Sequence, residues 1–209
     1  MRTASLSLFT ILCLVLAVTP ATAALVYSNG PYNGNTAAWE INFGFSVSDS
    51  YYPVGNGFTG LQFVYWDPVQ GDVLTTVDVQ LGTSPFEGYV YTYNAIYNID
   101  LGHNQHGYEL YLATVVFPRT DTPNEFLGFL TLSNACTTSG CSTNPIYWDE
   151  NSGEGCIYLG CPSLAFENEV GSIPSESFYL WSSPEPSSIM LFGSGILGLA
   201  GVLRRKLNI

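Results

Sequence analysis

Between residues 24 and 183 apolar and polar positions alternate with a period of two. Trp39, Ile41, Phe43, Phe45 and Val47 interleave with Glu40, Asn42, Gly44, Ser46 and Ser48, which predicts a strand with one buried face. Leu61, Phe63 and Tyr65 repeat the pattern, as do Val73, Thr75, Val77, Val79 and Leu81, and then Tyr89, Tyr91 and Tyr93. Further strands are expected at 108–117, 126–132, 146–148 and 178–181. Turn formers separate them, among them Pro53-Val54-Gly55-Asn56-Gly57 and Asp67-Pro68,. No stretch of this region sustains a helical period. Short strands at such intervals, with no helices to cover a parallel sheet, predict an all-β, antiparallel β-sandwich. A jelly roll is the preferred topology and an immunoglobulin-like sandwich the alternative. No internal repeat points to a propeller or solenoid.

Both ends break the pattern. Met1 and Arg2 precede an apolar run from Leu6 to Val18, and Ala21-Thr22-Ala23 follows as a small-x-small site. That order predicts a secretory signal helix over residues 1–23, cut between Ala23 and Ala24 by signal peptidase. Cys13 would leave with it. At the other end Pro184-Glu185-Pro186 leads into an apolar run from Ile189 to Leu203, closed by Arg204, Arg205 and Lys206. A single transmembrane helix at about 188–203 is expected. It rises about 24 Å, and snorkelling of its basic end together with bilayer thinning makes up the remaining span. Gly193, Gly195, Gly198 and Gly201 would keep that helix thin. The basic cluster should stay cytoplasmic, so everything upstream faces out.

Pro184-Glu185-Pro186, the short glycine-rich helix and the terminal Arg204-Arg205-Lys206 together resemble the PEP-CTERM sorting tail over residues 184–209. The resemblance implies export across the inner membrane of a Gram-negative-type bacterium and transient anchoring there. It further implies processing by an exosortase, an integral membrane cysteine peptidase, and delivery to the cell surface or extracellular matrix. Such tails also carry an ice-binding C-terminal label, but Thr75-Thr76 and Thr137-Thr138 do not make the flat threonine array that ice binding needs. Ile146-Tyr147-Trp148-Asp149-Glu150-Asn151-Ser152-Gly153 and Gly171-Ser172-Ile173-Pro174-Ser175-Glu176-Ser177-Phe178 resemble ectodomains that accompany this tail. That implies a shared fold and no particular chemistry.

Three parts result: signal 1–23, ectodomain 24–183 and tail 184–209. The ectodomain holds sixteen Asp and Glu against the single Arg119, a net charge of fifteen negative. Nucleic acid is excluded as a partner, because phosphate binding needs clustered Lys and Arg. The acidity is read as a solubility device on exposed turns. Cys136, Cys141, Cys156 and Cys161 are an even set in an oxidising compartment and read as two disulfides. Three pairings are possible. Local Cys136–Cys141 and Cys156–Cys161 clips are preferred to a nested arrangement about Trp148 and Asp149.

Asp149-Glu150-Asn151-Ser152-Gly153-Glu154 is the densest oxygen cluster and begins like a calcium loop, with Asp149, Asn151 and Glu154 as candidate ligands. Glu167 and Glu169 would add to it if the fold brought them near. No other cofactor is implied. His103 and His106 flank a polar loop and read as solvated. Serine-nucleophile motifs, phosphate loops and dinucleotide fingerprints are absent, and no candidate nucleophile stands beside a base. Tyr89, Tyr91, Tyr93 and Tyr97 suggest a stacking platform for sugar rings. The expected role is therefore a non-catalytic structural or interaction protein. Exopolysaccharide binding is the alternative, ahead of carboxylate hydrolysis.

Overall fold

The computed structural model describes residues 23–52, 57–120, 127–152 and 163–182, and Gly195. Twelve strands run in chain order among them. They are β1 (Ala24–Ser28), β2 (Ala38–Glu40), β3 (Ser46–Tyr51), β4 (Phe58–Asp67), β5 (Leu74–Gly82) and β6 (Tyr89–His103). The second half holds β7 (Glu109–Thr120), β8 (Gly128–Thr137), β9 (Tyr147–Asp149), β10 (Ala165–Glu167), β11 (Gly171–Ile173) and β12 (Phe178–Ser182). All belong to one compact unit, Ala24–Ser182; a second unit comprises Met1–Ala23 and Ser183–Ile209. The signal and the tail therefore lie outside the described residues, Ala23 and Gly195 excepted. Among the described residues no helix is long and apolar enough to cross a membrane.

Every ladder is antiparallel. One sheet runs β1-β12-β4-β7 and the other β6-β5-β8-β3. Chain neighbours such as β3 and β4, β4 and β5, and β7 and β8 fall in opposite sheets, which is the jelly roll. β6 joins the two. Its first half pairs with β5 and, past an irregularity between Ala95 and Tyr97, its second half pairs with β7. β10 and β11 extend the second sheet beyond β3. β9 pairs with the end of β4 and with β2, a small ladder beside the first sheet.

Alternation places Leu61, Phe63 and Tyr65 of β4 against Val77 and Val79 of β5 and Leu130 and Leu132 of β8, all buried in one core. Trp148 and Phe178 pack there edge to face with centroids 5.7 Å apart, a geometry aromatic quadrupoles favour. Gly60 is required at its place on β4, because a Cβ there would meet the Trp181 indole at 2.1 Å.

The single strand expected from Trp39 to Ser48 is broken in two. Phe43 and Gly44 take φ of 54° and 95°, and the Phe45 N–H bonds the Asn42 carbonyl at 2.9 Å. Two consecutive positive φ angles are those of the tight turn that reverses a chain. The alternation continues through the turn by coincidence of residue type, so periodicity alone does not reveal it.

Candidate functional site

At one end of the first sheet the alternation of β4 leaves Val64 and Trp66 on the face away from the sandwich core. Two loops and, alongside β4, the β2–β9 ladder frame that end. Between them opens a cleft of about 300 Å³ lined by Thr36, Ala37, Ala38, Trp66, His106, Tyr108 and Tyr147. Trp66 is its floor. The His106 ring lies nearly parallel to the indole at 6.1 Å and 22°, and Tyr108 stands 5.6 Å away. Tyr147, paired with Trp66 across the β4–β9 ladder, meets Tyr108 edge to face at 5.7 Å.

Local hydrogen bonding holds the walls. Asn104 caps the β6–β7 loop: its side-chain oxygen accepts from the N–H groups of His106 at 2.9 Å and Tyr108 at 3.0 Å. Asn33 does the same for the other wall, accepting from Asn35 at 2.9 Å and Thr36 at 2.7 Å. The walls also touch. Gln105 N–H donates to the Asn35 side chain at 3.1 Å, and His106 Nε2 lies 2.8 Å from the Asn35 carbonyl.

Asp149 ties floor to wall. One carboxylate oxygen accepts the Trp66 indole N–H at 2.5 Å and the Gly34 N–H at 3.1 Å; the other accepts from Asn33 at 2.9 Å. Burial pushes this carboxyl up to about 7, with its three N–H donors pulling the other way. Burial, Tyr108 and Glu40 push the Tyr147 phenol up to about 12, so it is a hydrogen-bond donor across the physiological range. The cleft thus combines apolar ring faces with phenol and threonine hydroxyls and contains no Lys or Arg.

Residues 184–206 match the PEP-CTERM protein-sorting motif. The chain carries the PEP-CTERM tail. The motif marks it as an exported, exosortase-targeted protein, sorted through the membrane toward the cell surface. No curated protein and no solved structure matches the chain.

Pro184, Glu185, Pro186, Arg204, Arg205 and Lys206 lie within the motif; like Cys156, Cys161 and Glu154, they lie outside the described residues. Cys136 and Cys141 form a disulfide, the first of the two local clips. Asp149 and Asn151 do not turn to a common point. Asp149 holds the cleft, whereas the Asn151 amide donates to the Asn29 carbonyl at 2.8 Å and to Ser175 Oγ at 2.9 Å. Glu167 folds back on its own turn, accepting from Glu169 and Val170 at 2.9 and 2.7 Å. Among the described residues no three His, Cys, Asp or Glu side chains gather as a metal-binding group.

The four tyrosines of β6 do not share one face. Tyr89, Tyr91 and Tyr93 follow one alternation, with the Tyr91 and Tyr93 rings 6.2 Å apart; Tyr89 and Tyr91 are exposed, and Tyr93 also packs at 5.3 Å on Phe117. The irregularity after Ala95 then sets Tyr97 opposite Thr114, on the outer face. The aromatic cluster that does converge was hidden in sequence because its members come from three separate segments. One signal was present: Trp66 is a tryptophan out of phase with the buried Leu61, Phe63 and Tyr65. The acidic residues also differ from the exposed turns expected, since Asp49, Asp67, Asp149 and Glu176 are fully buried. Donors inside the domain replace water at both oxygens of Asp49 and Asp149 and at one oxygen of Asp67.

Proposed function

We propose that the exported domain is a non-catalytic binding module for a neutral polysaccharide at the cell surface or in the extracellular matrix, taken up in the Trp66 cleft. The observation that carries this is the convergence of Trp66, His106, Tyr108 and Tyr147 around one opening of about 300 Å³, near the lower end of ligand-pocket size. Sugar rings present C–H faces that stack on aromatic rings, and hydroxyls that bond to phenols and threonine. The absence of Lys and Arg from the lining, and the domain's strong negative charge, favour a neutral glycan over an anionic one.

Binding rather than hydrolysis fits the carboxylate placement. A glycosidase needs two carboxyl groups flanking the scissile bond. Asp149, behind the cleft floor, is fully buried and has both oxygens engaged by N–H donors. A glycan array probed with the exported protein tests the proposal. Neutral polysaccharides should retain it without being cleaved, and acidic ones should not. Retention on acidic glycans alone, or release of reducing ends from any of them, would refute it.

A further inference from the structure

Away from the cleft, β3 and the residues just before β12 bury two acidic residues in contact, the Glu176 backbone N–H donating to the Asp49 carboxylate. Asp49 and Glu176 are both 0% exposed. Asp49 is well supplied with donors: Glu176 N–H at 2.6 Å, the Asn29 amide at 3.0 Å, Ser175 Oγ at 3.1 Å, and Ser163 Oγ. Glu176 is not. Neither of its carboxylate oxygens has a hydrogen-bond partner although both are buried. It bridges across to Glu150, and opposed residues of an antiparallel pair project to the same side. Asp49, Glu150 and Asp149 all act on its charge in the same sense.

A buried ionised carboxylate without a partner costs several kcal/mol, so something must balance Glu176. The chain has little to offer, since residues 24–183 contain no Lys and only Arg119. The surroundings are also crowded with oxygen. The Asn29 amide nitrogen has four oxygens at hydrogen-bond distance: Ser163 Oγ, Ser175 Oγ and the Glu176 carbonyl at 2.7 Å, and Asp49 at 3.0 Å. An amide carries two protons. Two of those four oxygens therefore receive none from it.

We propose that Asp49 and Glu176, completed by the neutral oxygens of Asn29, Ser163 and Ser175, form a binding site for a hard divalent cation of the calcium class. Calcium takes six to eight oxygens from carboxylates, amides, carbonyls and water, and two carboxylates would neutralise it. Only two of the ligands are charged, so neutral oxygens supply the remainder. Few-charge sites of extracellular modules bind with dissociation constants of about 10⁻⁴–10⁻³ M, a fit to an exported domain. Bound there, the cation would clamp β3 to the segments at Ser163 and Ser175.

The test uses the full exported protein stripped with EGTA, titrated with CaCl₂ by calorimetry and followed by thermal melting at pH 7.5. One saturable site with a dissociation constant of about 10⁻⁴–10⁻³ M is expected, with the melting temperature raised by about 5 °C. Glu176→Gln, a neutral isostere, should abolish both effects. No calcium-dependent shift in the wild-type protein would overturn the proposal and make a proton the balancing charge. Binding retained in Glu176→Gln would overturn it too, by placing the ion elsewhere. Should that variant not fold, terbium decides on the wild-type and Asp49→Asn proteins. The Tyr27 hydroxyl is 2.9 Å from the Asn29 side-chain oxygen, so terbium at the site should show tyrosine-sensitised emission that calcium displaces. Emission that is absent, or unchanged in Asp49→Asn, counts against the site.

Discussion

Single residues in this domain repeatedly hold more than one element. Asp149 receives N–H groups from Trp66 of β4 and from Asn33 and Gly34 of the loop before β2, so one carboxylate sets the distance between cleft floor and wall. Asp72 does the same elsewhere, accepting from Thr137 at 2.7 Å, Thr138 at 2.6 Å and the Ser139 N–H at 2.9 Å. Phe43 is the opposite case, a residue at odds with its place. It is half exposed and takes φ of 54°, the left-handed region where a Cβ crowds the next carbonyl,. Asn before Gly is the favoured pair for that turn. Phe43→Asn should therefore raise the unfolding free energy by about 1 kcal/mol, read as a higher denaturant midpoint with unchanged slope. A lower midpoint would mean that the Phe43 ring packs more than its exposure suggests.

At the scale of elements, the alternating core face of a strand was legible and the covering of its second face was not. The alternation of Leu61, Phe63 and Tyr65 located β4, and that of Val77 and Val79 located β5. The outer face of β4 carries Val64 and Trp66, and what surrounds them depends on β9 and on loops from segments distant in sequence, which no local period encodes. β1, β10 and β11 escaped for a related reason: each is five residues or fewer and owes its structure to a neighbour already in place. The turn at Phe43 escaped because its residues kept the apolar rhythm. The cysteine clip was legible because it is local, five positions apart. It closes the turn after β8, which Asp72 also tethers. Cys136→Ala with Cys141→Ala should thus cost about 2 kcal/mol or less, since a short closed loop removes little unfolded-state entropy. A loss much larger than that, measured by urea unfolding, would show the clip organising more than its own turn.

The whole molecule pairs an acidic, β-rich domain with a membrane-directed sorting motif, and its buried acids give it a distinctive pH response. Burial raises Asp49 and Asp149 to about 7 and Asp67 to about 6, against the hydrogen-bond donors each accepts. An unfolded chain releases those protons near pH 4. Between about pH 4 and pH 7 the folded state binds more protons, so stability falls as pH rises through that window. Asp72 acts in the other sense. Burial would raise it, but bonds from Thr138, Thr137 and Ser139 outweigh that and hold it below the usual range, so its contribution is lost on acidification. The three raised groups should dominate. In EGTA the melting temperature should decline from pH 4.5 to pH 7.5, and a flat or rising profile would contradict the burial of these acids. The central claim concerns the cleft, and a titration calorimetry series on the exported protein reaches it most directly. With a neutral oligosaccharide selected from the array, Tyr108→Ala and Tyr147→Ala should each weaken binding about fivefold or more, the worth of one stacking ring of about 1 kcal/mol. Tyr91→Ala on the exposed part of β6 should leave affinity unchanged. Affinity lost in Tyr91→Ala and kept in both cleft variants would contradict the account and move the ligand to β6.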